Sequence, residues 1–150
     1  MEAVLAAIRA GRTVVKLEGP GDPMLDVRAG EARMGDTARG SGSASLTVQV
    51  TGAPAGSQLR LVTDSVPGAL QDLPAGDSSR AFEVPFPAEG ESRVRAELHV
   101  DGRPRTVTSH LYLAPPNAQP ATGCGCTAAP VWPVSLLGLV ALRRRRADVN

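Results

Sequence analysis

Two thiols, Cys124 and Cys126, stand one residue apart in the run Gly123-Cys124-Gly125-Cys126, and the chain has no other cysteine. That spacing is too tight for a relaxed disulfide between them, and two thiols are too few for a zinc site. A C-x-C pair beside an apolar segment points instead to thiol modification or to recognition by a processing enzyme, lipidation being one physical reason to place sulfur there. The segment follows at once: Ala128 to Leu142 carries no charge and runs directly into Arg143, Arg144, Arg145 and Arg146. As a helix it would span roughly 22 Å, short of the ~30 Å hydrocarbon core of a bilayer. Pro130 and Pro133 confine the comfortable helix to about Pro133 to Leu142, with Leu136, Leu137, Leu139 and Leu142 as its apolar side chains. The arginines behind it are what positive-inside retention requires, and Trp132 has the interfacial place common to an indole. A buried core helix seldom ends in four consecutive arginines, so the expected partner of this segment is a membrane.

Other residue types that can do chemistry are few. His99 and His110 both fall on the polar sides of alternating segments, where they could meet as half a metal site. Three or four ligands are normally needed and no carboxylate is required to join them, so two ordinary surface or edge histidines are expected. Asp22, Asp26 and Asp36 lie in or near turns, but the alternation of a calcium loop with its closing Glu is missing, so turn chemistry is expected of them. Ser43, Ser45 and Ser109 have no motif of an activated nucleophile, and Gly40-Ser41-Gly42 lacks the third glycine and the following helix of a dinucleotide fingerprint. No catalytic residue, no metal site and no cofactor is expected in this chain.

Elements that could position such residues read mostly as strands. Leu46, Val48 and Val50 alternate with polar neighbours, as do Leu59 and Leu61, then Phe82, Val84 and Phe86, then Val94, Ala96, Leu98 and Val100. Each has one dry and one wet face, the antiparallel pattern. Asp101-Gly102 suits a two-residue turn with both central φ angles positive, so Arg103 to Leu113 is expected back as the paired strand with Val107, Leu111 and Leu113 inward. Shorter candidates are Thr13 to Leu17 and Leu25 to Ala29. Glu2 to Ala10 is the exception: Val4, Leu5 and Ile8 share a helical face, and Gly11 sits at a plausible C′ position. The fold class expected is mainly β, a small antiparallel β-sandwich of six or seven strands with a short N-terminal helix and a C-terminal hydrophobic helix.

The 150 residues carry 16 basic and 15 acidic side chains, but the terminal arginine run leaves residues 1–142 slightly acidic. With 3% aromatic residues as well, the chain lacks both a positive field for phosphates and platforms for stacking bases, which argues against nucleic acid. Lys16 is the only lysine among the basic residues, a bias of composition and not of chemistry. Pro115 to Thr122 is rich in Pro and Ala and reads as an extended linker.

Gly123 to Arg146, with its GCGC motif, short apolar segment and arginine cluster in that order, resembles the tripartite MYXO-CTERM sorting signal of myxobacterial surface proteins. The resemblance implies cleavage near Cys124 or Cys126 by an intramembrane protease of the myxosortase type and transfer to the cell surface. A second likeness spreads over the body: Ile8 to Lys16, Gly19-Pro20, Leu25 to Ala29, Met34-Gly35-Asp36-Thr37 and Thr108 to Leu113 resemble the passage from the barrel of PHP-domain (polymerase and histidinol phosphatase) metallohydrolases into a C-terminal β-sandwich. Enzymes of that family hold divalent metals on His, Asp and Glu clusters in their barrel loops. None of those motifs occurs here, so the resemblance implies the tail of a hydrolase, with divalent metal expected only in the missing barrel.

The domain organisation expected is therefore a helix and strand from the end of a barrel over 1–18, a sandwich over 19–113, a linker over 114–122, the sorting signal over 123–146 and a tail over 147–150. Partners implied are a membrane, a sorting protease and the barrel of a longer parent chain. Met1 to Gly11 is no secretory signal peptide, although a sorting signal acts only on an exported chain, so Met1 is expected to be an internal or misassigned start, or the gene a remnant. A stand-alone surface-anchored binding or adhesion module is the competing expectation.

Overall fold

A computed structural model describes residues 2–118, which belong to one compact unit of two packed β-sheets. The chain opens with helix α1 (Glu2–Arg9), whose end is set by Gly11 at φ +67°, and continues into β1 (Val14–Lys16). The smaller sheet joins β2 (Met24–Ala29), β3 (Ala32–Arg33), β5 (Ser43–Ala53) and β9 (Gly76–Pro85) in the order β3-β2-β5-β9. At the centre of the larger sheet lies β10 (Ser92–Val100), with β6 (Ser57–Thr63) along one side. Its other side is shared by β11 (Arg103–Thr108) and β12 (Leu111–Ala114). Around these lie β1 on β11, β4 (Thr37–Arg39) on β12, and the short β7 (Val66–Pro67) and β8 (Gln71–Asp72) on β6.

Alternation explains the core. Leu46, Val48 and Val50 from the smaller sheet meet Leu59, Val94, Ala96 and Leu98 from the larger, all at most 2% exposed. Each Leu or Val so buried contributes about 1.5–3 kcal/mol relative to leaving it in water. The Asp101-Gly102 turn takes positive φ at both positions, 51° and 73°, which closes the β10–β11 hairpin between Val100 and Arg103. A second two-residue turn of this kind, Asp64-Ser65 at φ 49° and 72°, joins β6 to β7.

Two expectations about the sheets need correction. Val107 does not point inward: it is half-buried opposite Glu97, while Thr106 and Thr108 are buried at 0% and 3% exposure. The cause is a bulge. Leu98 pairs with Thr106 but His99 with Pro104, so Arg105 is one residue extra, and one extra residue inverts which face every later side chain takes. The expected single return strand also breaks at Ser109-His110, and β12 then pairs with β4 in parallel, so the sheets are not wholly antiparallel. Twelve strand segments are present among the described residues, several only two or three residues long. The expected C-terminal helix lies outside the described residues, and no helix within them is long and apolar enough to cross a membrane.

Inward threonines serve the break between β11 and β12. Thr108 Oγ1 accepts the buried amide of Ala96 at 2.9 Å, in place of the carbonyl that a continuous strand would present, and Thr106 Oγ1 donates to the carbonyl of Pro23 at 2.8 Å. Thr108→Val, equal in shape, should therefore cost about 1–3 kcal/mol by stranding the Ala96 amide. Val107→Thr, on the outer side, should cost under about 1 kcal/mol. Urea unfolding of the two variants checks the order, and equal losses would contradict it.

Candidate functional site

Two clusters of polar side chains bear on the candidate residues, one on the outer face of the larger sheet and one at the junction between α1 and β1. On the sheet face, residues of β10 and β6 that stand opposite one another bring Glu97 beside Arg60, and Arg95 reaches the same carboxylate from two positions along the strand. Arg60 donates to Glu97 Oε2 at 2.7 and 2.9 Å and Arg95 to Oε1 at 2.8 and 3.1 Å. His99 Nε2 lies 3.4 Å from the same Oε2. The Glu97 side chain is 9% exposed because the two guanidiniums lie across it. Burial pushes its carboxyl up, but the bonds from Arg95, Arg60 and His99 together outweigh burial and hold it below its ordinary value. With one carboxylate shared by two arginines, this cluster braces β10 against β6.

At the junction, three stretches distant in sequence converge. Ser109 Oγ accepts from the Thr13 amide at 3.3 Å and donates to the Gly11 carbonyl, while the Ser109 amide donates to the Thr13 carbonyl at 2.8 Å. The Gly35 amide donates to the His110 carbonyl at 2.7 Å, and the Tyr112 amide to the Asp36 carbonyl at 3.0 Å. Arg12 closes the set with an ion pair to Asp36 at 3.1 Å. Gly35 approaches the Ala10 carbonyl so closely that no side chain fits there. The residues around this meeting point, Arg9, Ala10, Gly11, Gly35, Ser109, His110 and Tyr112, line a cavity of about 310 Å³. Desolvation, and then the charges of Arg95 and Arg93, hold the His110 imidazole below its ordinary pKa.

The residues singled out by sequence fall as follows. His99 and His110 do not form a pair: Leu111 is level with Val94, so His110 falls level with Arg95, and about four strand positions, roughly 13 Å, separate it from His99 along the sheet. Nor is His99 a surface histidine, since it is 6% exposed. Asp22 accepts the Glu18 and Gly19 amides at 2.7 and 3.1 Å, and Asp36 the Arg33 amide at 3.0 Å, which is turn chemistry. Asp26 differs: it sits within β2 and pairs with Arg28 at 2.8 Å, two positions along the same strand face. No group of three or more His, Cys, Asp or Glu able to hold a metal occurs among the described residues. Cys124, Cys126, Trp132, Pro133, Leu136, Leu137, Leu139, Leu142, Arg143, Arg144, Arg145 and Arg146 lie outside the described residues. Sequence reading missed Arg9, Arg60, Arg95, Glu97 and Tyr112. Glu97 reads as a solvent position by alternation, and its burial depends on the cross-strand Arg60 joining Arg95 of its own strand.

Fold and polar framework together define a mainly β, two-sheet sandwich domain with a short helix at its N-terminal side. No family model matches the chain, and no curated protein matches it. Among solved structures, it is similar to the solution structure of a CARDB domain from Pyrococcus furiosus, at 14% identity over 62% of this chain and 94% of that one, with a TM-score of 0.46. A crystal structure of that domain in complex with di-metal ions is similar at 14% identity over 64% of this chain and 98% of that one, with a TM-score of 0.38.

Proposed function

We propose that this chain is a non-catalytic accessory β-sandwich of a surface-sorted PHP-type metallohydrolase, with α1 offered to the catalytic barrel of a longer parent chain and residues 123–146 directing sorting at the membrane. The observation that carries this reading is the apolar face of α1. Val4, Leu5 and Ile8 are 62, 46 and 57% exposed, and none of the helix's residues is buried. A cluster of that size on an eight-residue helix is costly in water and marginal as a helix without a surface to pack on. It is held out from a junction built by Ser109, Gly35 and Asp36, where the short stretches that resemble the PHP passage meet. Divalent metal belongs, in this reading, to the barrel, and Cys124 or Cys126 to the sorting protease.

Immunoblotting of membrane and soluble fractions with antiserum against residues 45–113 tests it. A membrane-associated band far above 15.5 kDa is the expected result. A band at or below 15.5 kDa would replace it with the stand-alone binding module. Cys124→Ser and Cys126→Ser, made singly and together, should then retain the unprocessed form if sulfur directs sorting.

A further inference from the structure

The cavity at the α1–β1 junction has a chemistry that an accessory role does not use. Its volume of about 310 Å³ is at the lower end of small-ligand sites. Ser109 is engaged with Gly11 and Thr13, which leaves Arg9, His110 and Tyr112 as the other lining residues with polar side chains. None of those three side chains donates to another described residue. No carboxylate lines the space. The acids nearby are occupied: Asp36 by Arg12 and the Arg33 amide, Glu97 by Arg60 and Arg95. Arg93 stands level with Tyr112 across the β10–β12 pairing, and it and Arg95 both act on His110. Three donors around a small space, with arginines behind them and no acid among them, are complementary to negative charge.

We propose that this cavity binds a small oxyanion, the phosphate or carboxylate group of a low-molecular-weight ligand, with Arg9 as its main charged contact and His110 and Tyr112 as donors. The assignment stands on the cavity residues and is independent of whether a barrel packs on α1.

Tyr112 is the only tyrosine in the chain, so biosynthetic labelling with 3-fluorotyrosine places a single ¹⁹F reporter in the cavity. The full chain is titrated in parallel with inorganic phosphate and with acetate, at ionic strength held constant with chloride. A saturable shift is expected, with its midpoint weakened about tenfold in Arg9→Gln. Saturation by phosphate assigns the phosphate source, and saturation by acetate alone the carboxylate source. Arg9 is exposed, so its replacement leaves the fold intact, and His110→Gln provides a second variant expected to weaken the same midpoint. A shift that is linear in both anions, or a midpoint unmoved in Arg9→Gln, overturns the proposal.

Discussion

Gly35→Ala is expected to open the junction between α1 and the sandwich and to lower stability by about 3 kcal/mol. A Cβ at Gly35 would stand 1.6 Å from the Ala10 carbonyl oxygen and 2.8 Å from its carbon. Both are backbone atoms, so no side chain can swing away to make room. Gly35 also has φ +87°, a conformation in which a side chain is strained even in open space. Relief requires one of two movements. Either Gly35 shifts and its amide loses the His110 carbonyl, or residues 10–11 shift and Gly11 loses Ser109 while Arg12 loses Asp36. Gly11→Ala is the contrast, because its nearest neighbour would be the Gly35 Cα at 3.3 Å and its φ of +67° costs about 1 kcal/mol for a residue with a Cβ. Urea unfolding gives the size of each effect, and faster hydrogen exchange at the Gly35 and Ser109 amides locates it. If Gly35→Ala proved as stable as the parent, the close approach would be wrong.

The second large effect is expected at Glu97. Glu97→Gln keeps the shape and takes away the charge that two arginines share, so it should cost about 3 kcal/mol near neutral pH, the low end of the range for breaking a buried ion pair. The low end applies because the Arg60 and Arg95 side chains remain 26 and 30% exposed and recover part of their hydration.

Acid should weaken the same cluster in the unmodified chain. Glu97 is held below its ordinary value of 4.5, so the unfolded chain takes up a proton there before the folded chain does. Its contribution is fully present above pH 4.5 and is lost as pH falls through the lower, folded-state value. Asp22, Asp36 and Asp64 act with the same sign below 3.8: amides of Glu18, Arg33 and Arg93, respectively, are the leading cause that holds each carboxyl down. The unfolding midpoint of the parent should thus begin to fall below pH 6.5, where the unfolded chain protonates His110 before the folded chain does, and fall further below 4.5, where Glu97→Gln should show a shallower fall. Parallel acid profiles for the two chains would remove Glu97 from this account.

Local pattern was sufficient wherever a residue's environment follows from its immediate neighbours. Leu46-Val48-Val50 and Val94-Ala96-Leu98-Val100 are buried as their alternation requires, because a strand in a two-sheet sandwich has one face on the core. The Asp101-Gly102 turn and the helix over residues 2–9 were legible for the same reason. Val107 was misplaced because the bulge at Arg105 is a property of the pairing with β10, for which Pro104, unable to donate to the ladder, is the local signal. Glu97 and His99 look like solvent-facing polar positions until β6 brings Arg60 opposite the first and Gln58 opposite the second. Met34-Gly35-Asp36-Thr37 carried a resemblance, yet its physical role lies in contact with residues near Ala10 and His110.

The sequence by itself therefore determined the mainly β class, the inward faces of the long strands, the principal hairpin and the weakly partnered apolar face of α1. Only the tertiary structure decided the face taken by Val107, the burial of Glu97 and His99, the parallel β4–β12 edge and the cavity around Arg9, His110 and Tyr112. Alternation and turn chemistry act over a few residues, whereas the Ser109–Gly11 bond joins positions 98 apart, and contacts at that distance are set by which strands pair, here β1 with β11 in the larger sheet.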